Sequence, residues 1–197
     1  MDKLLRGGVR LIDHLLSASL RIIVISQDPQ CIFRIQLAQA VHSVIVDSQH
    51  ILKGDSVVVL HLWNERMPIL PASGADLEWA LQLRRKLIYS FRLIASFMQN
   101  NSQFSTVRAI YGASAVLSFT DHTGGTRLMQ HLGFSVLPYQ RPFGKFGEFW
   151  ENLFSWWLMW TYNEASLQSR KFQHLQRTEL WMTTEDFLQH YGQSTGK

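Results

Sequence analysis

The chain has 197 residues, 46% of them hydrophobic and 17% charged; so much apolar surface offsets the ordering entropy of folding and excludes an intrinsically disordered polypeptide. A domain of this length buries roughly 70% of the surface its unfolded chain exposes, so one domain with one substantial core is expected over 1–197. The formal charge of +4 is scattered, with Arg84-Arg85-Lys86 the one tight basic run, and the lone Cys31 permits neither an internal disulfide nor a cysteine cage; nucleic acid, an oxidised scaffold and a zinc ribbon are therefore not expected.

The lone Cys31 fits a reducing cytoplasm, and charges at Asp2, Lys3, Arg6, Arg10 and Asp13 interrupt any signal-peptide core, so no signal peptide is expected. Leu4, Leu5, Leu11, Ile12, Leu15, Leu16 and Leu20 recur at helical spacing and predict an amphipathic opening helix over about 3–20. Two strands are expected next, over Arg21–Ile25 and Cys31–Leu37, joined by a turn at Asp28-Pro29. A further apolar run, Val41–Val46, precedes a polar stretch ending at Gly54-Asp55, and Ser56–Trp63 reads as a central strand. Pro68, Pro71 and Gly74 make 64–74 a loop. Ala75–Met98 reads as a long helix, with Asp76 and Glu78 complementing its dipole.

Val107–Tyr111 predicts a strand, Ala115–Phe119 a further apolar piece, Thr126–His131 a short helix stopped by Gly133, and Phe134–Pro138 a strand ended by proline. An aromatic helix is expected at about 147–163, then a last strand at Glu179–Met182 and a closing helix from Thr184 to Tyr191 with Thr184 as its cap.

Three features carry candidate chemistry. Alternation along the central strand places His61, Trp63 and Glu65 on one side of an extended chain. His61, Trp63, Asn64, Glu65 and Arg66 are thus candidate ligand-binding residues at a strand end, against the plainer reading of a satisfied histidine and a turn-stabilising asparagine. Trp150, Phe154, Trp157 and Trp160 crowd a helix too polar to span a bilayer, and are either core or a surface for a partner or a lipid interface. Thr123-Gly124-Gly125 before a helix matches no phosphate-binding pattern and reads as a turn. The sequence has no GxSxG elbow and no HExxH pair, so neither a serine hydrolase nor a metal site is assigned.

Leu52–Asn64, Val107–Ser114, Leu132-Gly133-Phe134 and Leu180–Thr183, taken together, resemble the bacterial YkoP-like domain family, a family that occurs alone or appended to polysaccharide deacetylase domains. The element order also looks like the N-acetyltransferase (GNAT) fold, which implies an α+β architecture with a central, mostly antiparallel sheet flanked by helices. In that superfamily a basic, glycine-containing loop before the long helix holds the coenzyme A pyrophosphate; here 68–76 carries one glycine and the acidic Asp76.

The leading expectation is a cytoplasmic, non-catalytic or uncharacterised domain of the YkoP-like family that binds a small ligand or protein through the His61 to Arg66 strand end, with no cofactor and no complete catalytic motif. The alternative is an acetyl-CoA-dependent N-acyltransferase in which His61 or Glu65 acts as base and Tyr111 or Tyr139 as acid. The second alternative is a membrane-peripheral docking protein using the aromatic helix.

Overall fold

The computed structural model describes residues 19–71, 73–114, 124–140, 144–162 and 177–192, together with Gly8 and Leu167. Strands are β1 (Phe33–Gln39), β2 (Val44–Val46), β3 (Gln49–Ile51), β4 (Ser56–Leu62), β5 (Ala109–Ser114), β6 (Ser135–Pro138) and β7 (Thr178–Thr183); helices are α1 (Leu77–Gln99), α2 (Gly124–His131), α3 (Gly144–Tyr162) and α4 (Thr184–Tyr191). The architecture is mixed α+β. Five strands form a sheet in the order β1-β4-β5-β7-β6, antiparallel throughout except for the parallel pair β4 and β5, while β2 and β3 form a separate hairpin. The opening helix expected over 3–20 and the apolar piece 115–119 lie almost wholly outside the described residues.

Side-chain alternation along the strands sorts the sheet into two faces. Val58 and Leu60 of β4, Ile110 of β5 and Met182 of β7 point toward α1 and α4, where they meet Leu83, Leu87, Ile94 and Phe187 in the main core. Phe91 is its hub: its ring lies 5.4 Å from Phe33, 5.1 Å from Phe134, 5.9 Å from Phe187 and 5.1 Å from Tyr191. The opposite face carries a smaller core in which Val57, Ala109 and Trp181 are covered by Val46 and Ile51 of the hairpin.

Local differences from the sequence expectations have identifiable causes. The β-branched run at Arg21–Ile25 makes only one bridge, Ile23 to Ile35, and no strand forms there. The polar stretch after β2 contains β3; its turn residues Asp47 and Ser48 take φ of 46° and 69°, the left-handed pair that a tight hairpin turn requires. The cap of α4 is Thr183 rather than Thr184: the Thr183 hydroxyl accepts from the Asp186 N–H at 3.1 Å. Gly133 does end α2. Its φ is +85°, and an added Cβ would sit 2.8 Å from Met182 Cε, so a side chain is opposed by both backbone and packing.

Candidate functional site

The parallel ladder between β4 and β5 holds only three register pairs and ends at Val59 opposite Tyr111. Beyond it β4 stays paired with β1, His61 opposite Arg34, while β5 stays paired with β7, Ala113 opposite Glu179. The two halves of the sheet therefore part, and α3 supplies a wall of the resulting wedge through Glu151, Phe154, Ser155 and Leu158. These residues fall at i, i+3, i+4 and i+7, one stripe of a helix. The cavity measures about 370 Å³, within the range of small-molecule sites.

His61 and Tyr111, both candidates from sequence, line this cavity together with Arg34, Asn64 and Tyr139. His61 Nε2 lies 2.9 Å from Gln36 Oε1; donation from Nε2 leaves Nδ1 as an acceptor. Burial, reinforced by the charge of Arg34, pushes the His61 pKa down from 6.5 to about 4, so the ring is neutral at pH 7. The Tyr111 ring packs against Trp181 at 4.5 Å. Burial, then the negative charge of Glu179, raises its phenol well above the ordinary value, which keeps the hydroxyl protonated. Within the described residues no hydrogen bond engages the Tyr111 hydroxyl or the Asn64 side-chain amide.

A polar cluster closes the α3 side. Tyr139 donates to Glu151 Oε2 at 2.8 Å, and Arg177 Nε lies 3.6 Å from the same oxygen. Arg177 also donates to the Glu151 carbonyl oxygen at 2.6 Å and to Ser155 Oγ at 2.8 Å, tying the start of β7 to α3. Burial, followed by the hydrogen bond to Glu151, raises the Tyr139 phenol above its usual range. Next to this cluster Glu179, 1% exposed, receives three donors: Trp181 Nε1 at 2.9 Å, the Gln140 N–H at 3.0 Å and His42 Nε2 at 3.1 Å. A buried carboxylate so satisfied is a structural anchor.

Trp63, Glu65 and Arg66 go elsewhere. The extended chain stops at Leu62, and Asn64–Arg66 forms a 3-10 turn, which breaks the alternation expected to reach Glu65. Arg66 donates to the carbonyls of Ser26, Gln27, Asp28 and Cys31 and stacks 3.4 Å from the Trp63 ring centroid. Trp63 Nε1 donates to Glu65 at 3.3 Å. The three clamp the loop 26–31 and do not line the cavity.

The aromatic helix divides likewise. Phe154 faces the cavity, Trp160 is half-buried, and Trp150 and Trp157 are 51% and 40% exposed beside Phe146 at 75%. Glu151 was not singled out in the sequence, although a carboxylate inside an aromatic run, in register with Phe154 and Leu158, was the available signal. Arg34 and Arg177 carried none. At the front of α1 the Asp76 carboxylate accepts the Trp79 N–H at 2.8 Å, so an acidic side chain occupies that helix terminus.

Among the described residues no group of histidine, cysteine and carboxylate side chains is placed to hold a metal, and no helix is long and apolar enough to cross a membrane. No solved structure gives a significant match. The chain is similar to "Uncharacterized protein YkoP" of Bacillus subtilis (strain 168), with 23% identity over 137 residues that cover 68% of this chain and 70% of the relative. A family model described as the YkoP domain matches residues 3–191, and the chain therefore belongs to the YkoP domain family.

Proposed function

We propose that this chain is a single small-ligand-binding domain of the cytoplasm, and that its ligand enters the wedge between β4 and β5. The observation that carries this reading is the cavity itself: His61, Asn64 and Tyr111 from the sheet side and Glu151 from α3 converge on it, and two of these present polar groups that no described residue satisfies. Concave sites with a few convergent polar groups on an apolar lining are the usual form of small-molecule sites. The test is amide chemical-shift mapping with a fragment library. Shifts should cluster at 59–64, 111–114 and 151–158. Hits confined to the outer face of α3 or to the β2–β3 hairpin would sink the reading.

An acetyl-CoA-dependent N-acyltransferase is the alternative, and one observation favours it. The strand order, the lone parallel pair and the long helix between its strands support a GNAT-like fold. His61, neutral and half-buried, would be the base and Tyr111 or Tyr139 the acid. Against it stands Asp76, whose carboxylate caps α1 where a pyrophosphate would need free N–H groups. The melting temperature with and without acetyl-CoA discriminates. Ligand at about 100 times Kd adds about 2.7 kcal/mol, a rise of roughly 5–10 °C; no rise at millimolar acetyl-CoA removes the acyltransferase.

A membrane-peripheral role has its own support in the exposed Phe146, Trp150 and Trp157, which share one stripe of α3. Flotation with neutral and with anionic liposomes tests it, and absence of binding to both removes it.

A further inference from the structure

The described lining of the wedge separates into charges that are already engaged and neutral groups that are not. Arg177 Nε lies 3.6 Å from Glu151 Oε2, and Tyr139 donates to the same oxygen at 2.8 Å, so this ion pair is satisfied within its own cluster. Arg34, 9% exposed, makes contacts of its own within the protein. An ionised ligand group entering here would lose its water without gaining an ion pair of its own, and a buried charge left unpaired is costly. A cation would also meet the charge of Arg34, which already opposes protonation of His61.

The unengaged groups are neutral and of both hydrogen-bonding kinds. His61 turns Nε2 toward Gln36 Oε1 at 2.9 Å, which leaves Nδ1 as an acceptor, and burial keeps the ring uncharged at pH 7. The Tyr111 hydroxyl, held protonated, is a donor, and the Asn64 side-chain amide offers both a donor and an acceptor. Apart from the contact of His61 with Gln36, no described residue hydrogen-bonds these three side chains. His61 lies two positions beyond Val59, the register partner of Tyr111, so imidazole and phenol rise from the same face of the sheet. Ile22, Phe154 and Leu158 add apolar surface.

A small planar group with a donor on one side and an acceptor on the other complements this lining, and a carboxamide is such a group. A carboxylate has acceptors only and faces the Nδ1 lone pair. An amidinium has donors only and carries a charge. A ketone leaves Nδ1 unanswered.

We propose that the wedge selects an uncharged, carboxamide-bearing molecule, its N–H toward His61 Nδ1, its carbonyl oxygen toward the Tyr111 hydroxyl and the Asn64 amide, and its apolar part against Ile22, Phe154 and Leu158. This rests on the ligand-binding reading above and adds the class of ligand to it.

The experiment compares four probes of one shape, butyramide, butyrate, butyramidinium and 2-pentanone, by amide chemical-shift titration of the full chain at pH 7. Butyramide should shift 59–64 and 111–114 and bind about tenfold more tightly than either charged probe, and severalfold more tightly than 2-pentanone, differences of the size of one hydrogen bond. Tyr111→Phe, which keeps the ring against Trp181, should weaken butyramide and 2-pentanone by the same factor, because both present a carbonyl oxygen. His61→Leu should erase the advantage of butyramide over 2-pentanone. Should that variant fail to fold, the order of the four probes on the wild-type chain decides alone. Butyrate or butyramidinium binding as tightly as butyramide, 2-pentanone equalling it, or no response of the wedge to butyramide overturns the inference. Fragment-library shifts at the wedge would then leave the ligand-binding reading standing with a different class of ligand, whereas their absence would remove both.

Discussion

The two faces of the sheet are built from the same strands and differ in kind. On the α1 side Val58, Leu60, Ile110 and Met182 join a closed apolar core around Phe91. On the other side the neighbouring residues in the same strands are Val59, His61, Tyr111 and Trp181, apolar under the hairpin and polar beyond it, where the cavity opens. A shift of one residue along a strand thus separates stabilising packing from candidate chemistry. The difference teaches that a single period-two pattern can serve both, provided something other than a packed layer covers one half of one face.

Three measurements bear on this contrast. The largest effect is expected from Phe91→Ala, which removes the hub of four ring contacts; urea unfolding should show a loss of about 3–5 kcal/mol, and a loss under about 1 kcal/mol would mean the two faces are not energetically distinct. A smaller, pH-dependent effect belongs to His61. Its folded pKa is depressed to about 4, so between that value and 6.5 the unfolded chain binds the proton first. The stability associated with a neutral His61 is therefore present above pH 6.5 and is lost as pH falls toward 4. Wild type should lose about 2 kcal/mol more than His61→Gln between pH 7 and pH 4.5 in paired unfolding curves. Parallel losses in the two proteins would show that the wedge does not hold the ring neutral. Among the described residues, Arg34 on β1, Tyr111 on β5, Tyr139, Glu151 on α3 and Arg177 are the charged or titratable groups that share the cavity with His61, and their variants sharpen the assignment. The smallest effect is expected from Trp157→Ser on the outer stripe of α3: the melting temperature should stay within about 0.5 kcal/mol of wild type in equivalent stability. Unfolding by that single change would move Trp157 into the core and remove the exposed stripe.

What the sequence alone determined is local. The alternation through Ser56–Leu62, the apolar spacing of Leu77–Gln99, the Pro138 strand end and Gly133 after α2 were all legible, because each depends on residues a few positions apart. Asp76 at the front of α1 was legible for the same reason, as was His61 as a candidate. Tertiary structure alone decided the rest. The hairpin strand Gln49–Ile51 has little apolar pattern of its own and exists through its turn and its cover over Val57 and Trp181. Trp63, Glu65 and Arg66 became a clamp because the loop 26–31 offers carbonyls within reach of one guanidinium. The wedge joins His61 on β4, Tyr111 on β5 and Glu151 on α3, brought together only where a parallel ladder stops short. No periodicity marks such a point, because where two strands part is set by the partners each keeps on its other side.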